Sequence, residues 1–184
     1  MANILIVYGT REGQTAKVAE HIAGIARKQG LVAQVADAKD LPDPAAVDAV
    51  DAVLVGASVQ KGLFAPAILD WVGNHRSLLE RVPSAFFTVS LTSSTLEVAE
   101  SRKNAEEYVS SFVQLTGWQP TKVGLFAGAL RYTQYDDPTR DLLVSVAART
   151  GKPTDISRDH EFTDWNAVAR FTHAVLSGVP VRAQ

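Results

Sequence analysis

Five short runs of β-favouring apolar residues, each followed by helical spacing or a helix-ready turn, constrain this chain more than any other feature. Residues 4–8, 31–36, 52–57, 85–91 and 122–127 read as strands. Their apolar character is too continuous for a sheet that is wet on one face. Between them, residues 13–28 put Val18, Ile22 and Ile25 on one helical face. Residues 66–79 do the same with Ile68, Leu69, Val72 and Leu79, and residues 96–115 make a long helix with a polar outer face. Asp43-Pro44 reads as an N-cap and a first-turn proline that open a short helix before the third strand. Strands alternating with helices imply an α/β fold with a doubly wound parallel sheet. Five such strands suggest the order 2-1-3-4-5, to which right-handed crossovers leave few alternatives, with a ligand crevice outside the carboxyl ends of the strands.

The alternation breaks after the fifth strand. Residues 129–162 form a long connection before a last helix over residues 164–176. Connections of this length are usually functional or disordered. Within it, residues 138–149 carry a helical pattern of their own, with Leu142, Leu143, Val146 and Ala147 clustered. The whole of residues 1–184 is expected to be one domain with residues 129–162 as an insertion.

Composition excludes several function classes. The chain has no Cys, so disulfides, thiolate metal sites and Cys nucleophiles are ruled out, and a reducing cytosol is compatible. A net charge of −2 with no run of Lys and Arg predicts no nucleic-acid partner. Residues 1–8 lack the charged start and cleavage site of a signal peptide, and no stretch nears the roughly 20 apolar residues of a membrane span. A cytoplasmic location is therefore expected. No His- or carboxylate-rich group has metal-ligand spacing, and no metal is expected.

The most informative segment is Thr10-Arg11-Glu12-Gly13-Gln14-Thr15, between the first strand and the first helix. Two Thr hydroxyls and consecutive backbone N–H groups at a helix N-terminus make a phosphate cradle. The loop has no Lys, which suits one monoester phosphate held by neutral donors and the helix dipole. Gln14 stands where a P-loop would need Lys, and the turn lacks Gly-x-Gly-x-x-Gly. A phosphoacceptor domain would want carboxylates where this chain has Gly9-Thr10 and Ser58. The competing explanation is a polar turn whose Thr residues merely cap the helix.

The run from Ile6 to Thr15, followed by Ala19 and Ile22, resembles the flavodoxin signature at all its constrained positions. The resemblance implies a flavodoxin-like fold and one FMN. It places the phosphate on Thr10, Arg11, Glu12, Gly13, Gln14 and Thr15. The isoalloxazine ring is then expected across two loops, Ser58-Val59-Gln60-Lys61-Gly62 and Ser90-Leu91-Thr92. Backbone amides there can bond the pyrimidine edge while side chains cover the ring faces. Lys61 has two readings, a charge near reduced flavin or a solvated surface residue.

A narrower likeness spans nearly the whole chain. Gly56-Ala57-Ser58, Pro83-Ser84-Ala85-Phe86, Ala127-Gly128-Ala129-Leu130-Arg131-Tyr132 and Phe162-Thr163-Asp164-Trp165 resemble the flavodoxin-type protoporphyrinogen IX dehydrogenases. That family implies an FMN-dependent oxidoreductase that passes electrons from a tetrapyrrole to a quinone or other acceptor, with a long insertion after the fifth strand. The alternative is an electron carrier of the flavodoxin type, shuttling between protein partners. Basic, aromatic insertions suit an anionic membrane, but here Arg131, Arg140 and Arg149 are offset by Asp136, Asp137 and Asp141. The Leu142, Leu143 and Val146 face is left to contact lipid, a quinone or a tetrapyrrole, or to pack on the domain or a second subunit. Peripheral membrane contact through residues 133–150 and a homo-oligomer both stay open. The catalytic base is unknown. Arg131 and His160, the latter in the tail of the insertion, are the candidates. Arg131 reads either as a partner for a propionate or a flavin-proximal polar group or as one side of a structural salt bridge. His21, His75 and His173 read as surface or satisfied residues. Trp71, Trp118 and Trp165 read as packing residues.

Overall fold

A computed structural model describes residues 1–40, 47 and 49–180. The expected short helix at Asp43-Pro44 lies outside the described residues. Strand β1 (Asn3–Gly9) is an interior strand of the sheet. It pairs in parallel with β2 (Val32–Asp37) on one side and β3 (Ala52–Ser58) on the other. Strands β4 (Ser84–Ser90) and β5 (Val123–Ala127) continue outward, all parallel, giving the order 2-1-3-4-5. The apolar runs thus fall in register as expected, and each strand end is within a residue or so of its anticipated place.

The pleat divides the side chains between two cores. Ile4, Ile6, Leu54, Phe87 and Val89 face α1 (Gln14–Lys28) and the last helix, α6 (Trp165–Leu176). Leu5, Val7, Val53, Val55 and Phe86 face α2 (Pro66–Asn74), α3 (Arg76–Arg81) and α4 (Ala99–Thr116). Trp71 and Trp118 are buried in this second core, as expected of packing residues. Trp165 packs, partly buried, against the first core and lies across His21, with ring centroids 4.8 Å apart, and its Nε1 donates to Glu161.

Two helix expectations need correction. Residues 66–79 are not one helix, because His75 leaves helical geometry between α2 and α3. The imidazole stacks on Trp71 at 4.4 Å and its Nδ1 lies 2.8 Å from the Trp71 carbonyl, so the side chain competes at the helix end. The helix anticipated from residue 96 begins only at Ala99. A 3₁₀ turn, Thr92–Thr95, occupies the preceding stretch and Ser94 Oγ bonds the Leu91 carbonyl.

The insertion is a closed excursion pinned at its base. Strand β6 (Ala129–Leu130) pairs antiparallel with β7 (His160–Glu161), a ribbon that sequence periodicity did not reveal. Between them, α5 (Asp137–Arg149) is N-capped by Asp136, whose carboxylate accepts the Thr139 N–H at 3.0 Å. Leu130, Tyr132, Tyr135 and Ala147 form a third, smaller core with Leu91, Leu143 and Phe162 packed on it. Arg140 donates to the carbonyls of Tyr132 and Tyr135 and fixes α5 against its own entry turn. No helix among the described residues is long and apolar enough to cross a membrane.

Candidate active site

A cavity of about 380 Å³ opens at the carboxyl edge of the sheet, the position at which open α/β sheets take ligands. Three loops and the insertion wall it. Thr10, Arg11, Glu12, Gln14 and Thr15 come from the turn between β1 and α1. Ser58, Val59, Gln60, Lys61 and Gly62 follow β3, and Ser90, Leu91 and Thr92 follow β4. Every residue anticipated for cofactor binding therefore lines this one cavity except Gly13, which supports the turn from behind as the N-cap of α1.

The end of α1 is built to be completed from outside. Gly13 has φ +87°, a left-handed conformation that costs glycine nothing. Its N–H donates to Thr10 Oγ1 at 3.0 Å, which closes the loop on itself. No side chain caps the helix and its first turn carries no acidic residue, as at α2 and α3, whereas Asp136 and Asp164 cap α5 and α6. The first-turn N–H groups and the positive end of the dipole are thus left facing the cavity. Thr15 is fully buried and its Oγ1 has no hydrogen-bond partner among the described residues, and the buried Oγ of the partly buried Ser58 likewise has none. Buried hydroxyls without partners are rare and call for a ligand atom or water. These neutral donors fit one phosphate monoester and the polar edge of a ring beside it.

The loop after β3 is a two-residue hairpin. Gln60 and Leu63 exchange backbone hydrogen bonds of 3.0 Å across Lys61 and Gly62, at φ +52° and +76°. Both central residues are left-handed, the type I′ geometry that normally selects Asn-Gly.

Not all side chains of the first loop turn toward the phosphate position. Gln14 Nε2 donates to Thr163 at 2.8 Å, and its Oε1 accepts from Arg131 Nη2 at 2.7 Å. Glu12 accepts from Gln60 Nε2 at 2.6 Å and from the Tyr135 hydroxyl at 3.0 Å. Loop, hairpin and insertion are therefore tied through one carboxylate. Burial raises the Glu12 carboxyl above its usual range, against the bonds from Tyr135 and Gln60 and the charge of Arg131. Tyr135 is pushed upward by burial and by the Glu12 charge, so its hydroxyl stays a donor.

The sign of the Glu12 effect gives a prediction. A carboxyl raised on folding adds stability below the ordinary value of 4.5 and loses it as pH climbs through the raised value. Glu12→Gln should melt near wild type at pH 4 and progressively higher than wild type toward pH 7, in a thermal series. A difference independent of pH would show that Glu12 does not ionise against the fold.

The two candidates for a catalytic role are both held by contacts within the fold, and for Arg131 the contact is the structural salt bridge of its second reading. Neither Arg131 nor His160 lines the cavity. The Arg131 guanidinium spans Gln14 and Asp159, at 2.7 and 3.4 Å, and joins the insertion base to the first loop. His160 Nε2 lies 2.8 Å from the Asp155 carbonyl and its ring packs against Tyr132. The insertion instead sends Tyr135, Thr139, Leu142, Leu143 and Val146 to the cavity. Sequence reasoning singled out the leucine–valine face but missed Tyr135 and Thr139, together with Tyr108 on α4. An aromatic residue in a loop, more than a hundred residues from its partner Glu12, gives no periodic signal.

A model of the flavodoxin domain matches residues 5–157, most of the chain. The chain belongs to the flavodoxin domain family. Among curated proteins, this flavodoxin domain is 36% identical to protoporphyrinogen IX dehydrogenase [quinone] of Leishmania major, over 91% of the chain and 71% of that protein. The Escherichia coli K12 protein of the same name is 31% identical, with 93% of each chain covered. Among solved structures, oxidised flavodoxin 1 from Bacillus cereus aligns over 97% of this chain and all of its own, with a TM-score of 0.54 and 16% identity. The flavodoxin of Streptococcus pneumonia TIGR4 aligns over the same share at a TM-score of 0.55 and 16% identity. The solved flavodoxins match the fold, whereas the two dehydrogenases match in sequence over nine-tenths of the chain.

Proposed function

We propose that this protein is an FMN-dependent oxidoreductase that dehydrogenates protoporphyrinogen IX and delivers the electrons to a quinone. One observation carries the reading. The uncapped end of α1, with the unpartnered Thr15 hydroxyl, and the apolar face of α5 line the same cavity. A phosphate cradle and a slot for a large apolar ring thus share one wall-to-wall space. The relatives in Leishmania major and Escherichia coli support the same substrate and acceptor.

In this reading Thr10, Thr15 and the first-turn N–H groups hold the phosphate of FMN. Ser58 and the backbone of residues 59–62 meet the ring's polar edge, and residues 90–92 flank it. When bound, FMN supplies the two-electron chemistry. The chain supplies position and environment. Leu142, Leu143 and Val146 exclude water from the reacting face and present an apolar surface to the tetrapyrrole. The Glu12–Gln60–Tyr135 bonds hold the hairpin and the insertion at fixed separation across the cavity. A net charge of −2 offers little long-range steering toward basic protein partners, which disfavours the role of a flavodoxin-type carrier. A quinone acceptor would bring the protein to the cytoplasmic side of a membrane, with α5 the contacting element.

The test is anaerobic mixing of FMN-loaded protein with protoporphyrinogen IX. Flavin bleaching matched by growth of porphyrin fluorescence is expected. A flavin that stays oxidised would overturn the substrate assignment and favour a carrier.

A further inference from the structure

Two cations line the cavity, Arg11 from the loop after β1 and Lys61 from the hairpin after β3. Neither forms an ion pair with a carboxylate of the described residues. Cations close by are already engaged, Lys17 with Glu161 at 2.5 Å, Arg131 with Asp159 at 3.4 Å and Arg140 with Asp137 at 3.1 Å. Glu12, the carboxylate of the cavity wall, is bonded by Gln60 and Tyr135 and neutralises neither cation. Asp136 faces Lys61 from the start of α5, but its carboxylate accepts the Thr139 N–H and makes no ion pair with the lysine.

The local fold brings the two side chains to one edge. The Arg11 guanidinium rests 3.4 Å from Gln60 Oε1, on the residue next to Lys61. Lys61 takes φ +52° in a turn position where Asn or Gly would be unstrained. A non-glycine residue kept in such a conformation points to a task for its side chain. That task is not needed for the phosphate, which has the helix terminus and Thr15. The apolar residues Leu142, Leu143 and Val146 of α5 line the same cavity. The cavity is therefore amphipathic, with two exposed cations and the hydrocarbon of α5 in one lining.

We propose that Arg11 and Lys61 form a carboxylate-binding subsite that selects ligands bearing acid side chains on an apolar ring system. The subsite rests on the oxidoreductase reading above and names the groups by which the substrate would be recognised. The acid groups of the tetrapyrrole sit between the two cations at the cavity mouth. Its ring then lies against α5, with the macrocycle turned toward the cofactor. Removal of those charges from the ligand and removal of the cations from the protein should be equivalent.

The measurement is equilibrium titration of FMN-loaded protein with protoporphyrin IX and with its dimethyl ester, followed by porphyrin fluorescence. Wild type should bind the diacid about tenfold tighter than the ester, as two charge-assisted contacts at a solvated edge imply. The preference should shrink with added salt and collapse to near unity in Arg11→Ala/Lys61→Ala. Lys61→Arg should retain it. Because the readout is a ratio on one protein sample, partial loss of stability or of FMN affinity in a variant does not mimic it. Equal binding of diacid and ester by wild type, or a preference that survives the double substitution, would overturn the subsite alone. Failure of wild type to bind either porphyrin would overturn the oxidoreductase reading and the subsite with it.

Discussion

Affinity for FMN should fall at least about a hundredfold when Thr15 becomes Val and Gly13 becomes Leu, while the sheet and its melting transition persist. The two changes act by different routes. Val is nearly isosteric with Thr and removes only the hydroxyl, which is buried and has no hydrogen-bond partner among the described residues. A hydrogen bond to a charged group contributes about 1.5–3 kcal/mol, so its loss on the bound side alone is worth roughly tenfold or more. Leu at position 13 must adopt φ +87° or move the turn, at a cost of about 1–3 kcal/mol. A Cβ there would meet no atom within 4 Å, so the penalty is backbone strain in the cradle and not a clash with the core. Thr15→Val alone makes a sharper test. Deleting an unsatisfied buried hydroxyl should leave the apoprotein as stable as wild type or more so, yet weaken FMN. Titration of apoprotein with FMN and thermal melts of the same samples decide it. Full FMN retention in the double variant would remove the phosphate from this loop.

Much of this site could be read from the residues because it is local. The β1–α1 turn, its glycine and its two threonines lie within six positions, and the chemistry of a helix N-terminus needs no distant partner. The sheet order was legible for a similar reason, since continuous apolar strands joined by helices admit few right-handed windings. Most of what escaped was set by long-range pairing. Tyr135 earns its place only by reaching Glu12, and Arg131 is drawn off by Gln14 and Asp159. The β6–β7 ribbon is two residues per strand, too short to show an alternation. His75 breaks a helix that every apolar spacing favoured, through one stacking contact and one carbonyl bond. For Tyr135, Arg131 and the ribbon the deciding energy lies in a contact whose partner no window of sequence contains. The His75–Trp71 contacts, by contrast, are only four residues apart and are invisible to apolar spacing alone.

The insertion decides whether this flavodoxin fold does more than carry electrons, and its apolar face offers the second large effect. Leu142→Asp/Val146→Asp should lower kcat/KM for protoporphyrinogen IX about a hundredfold or more and leave FMN bound. Leu142 is 51% exposed and Val146 is partly exposed, so in the free protein both carboxylates can remain hydrated at little cost to the fold. Helix α5 itself is held elsewhere, by its Asp136 cap and by Arg140 on the carbonyls of Tyr132 and Tyr135. The penalty arises only when a ring system closes over the helix and strips water from two charges. Desolvating even one unpaired carboxylate costs several kcal/mol, more than the hundredfold loss requires. Reduction of the bound flavin by dithionite, a small anion that needs no apolar slot, separates the outcomes. Slow turnover with unchanged dithionite reduction places the tetrapyrrole against α5. Unchanged turnover would assign that face to packing against a membrane or a second copy, and would leave the cavity to the cofactor alone.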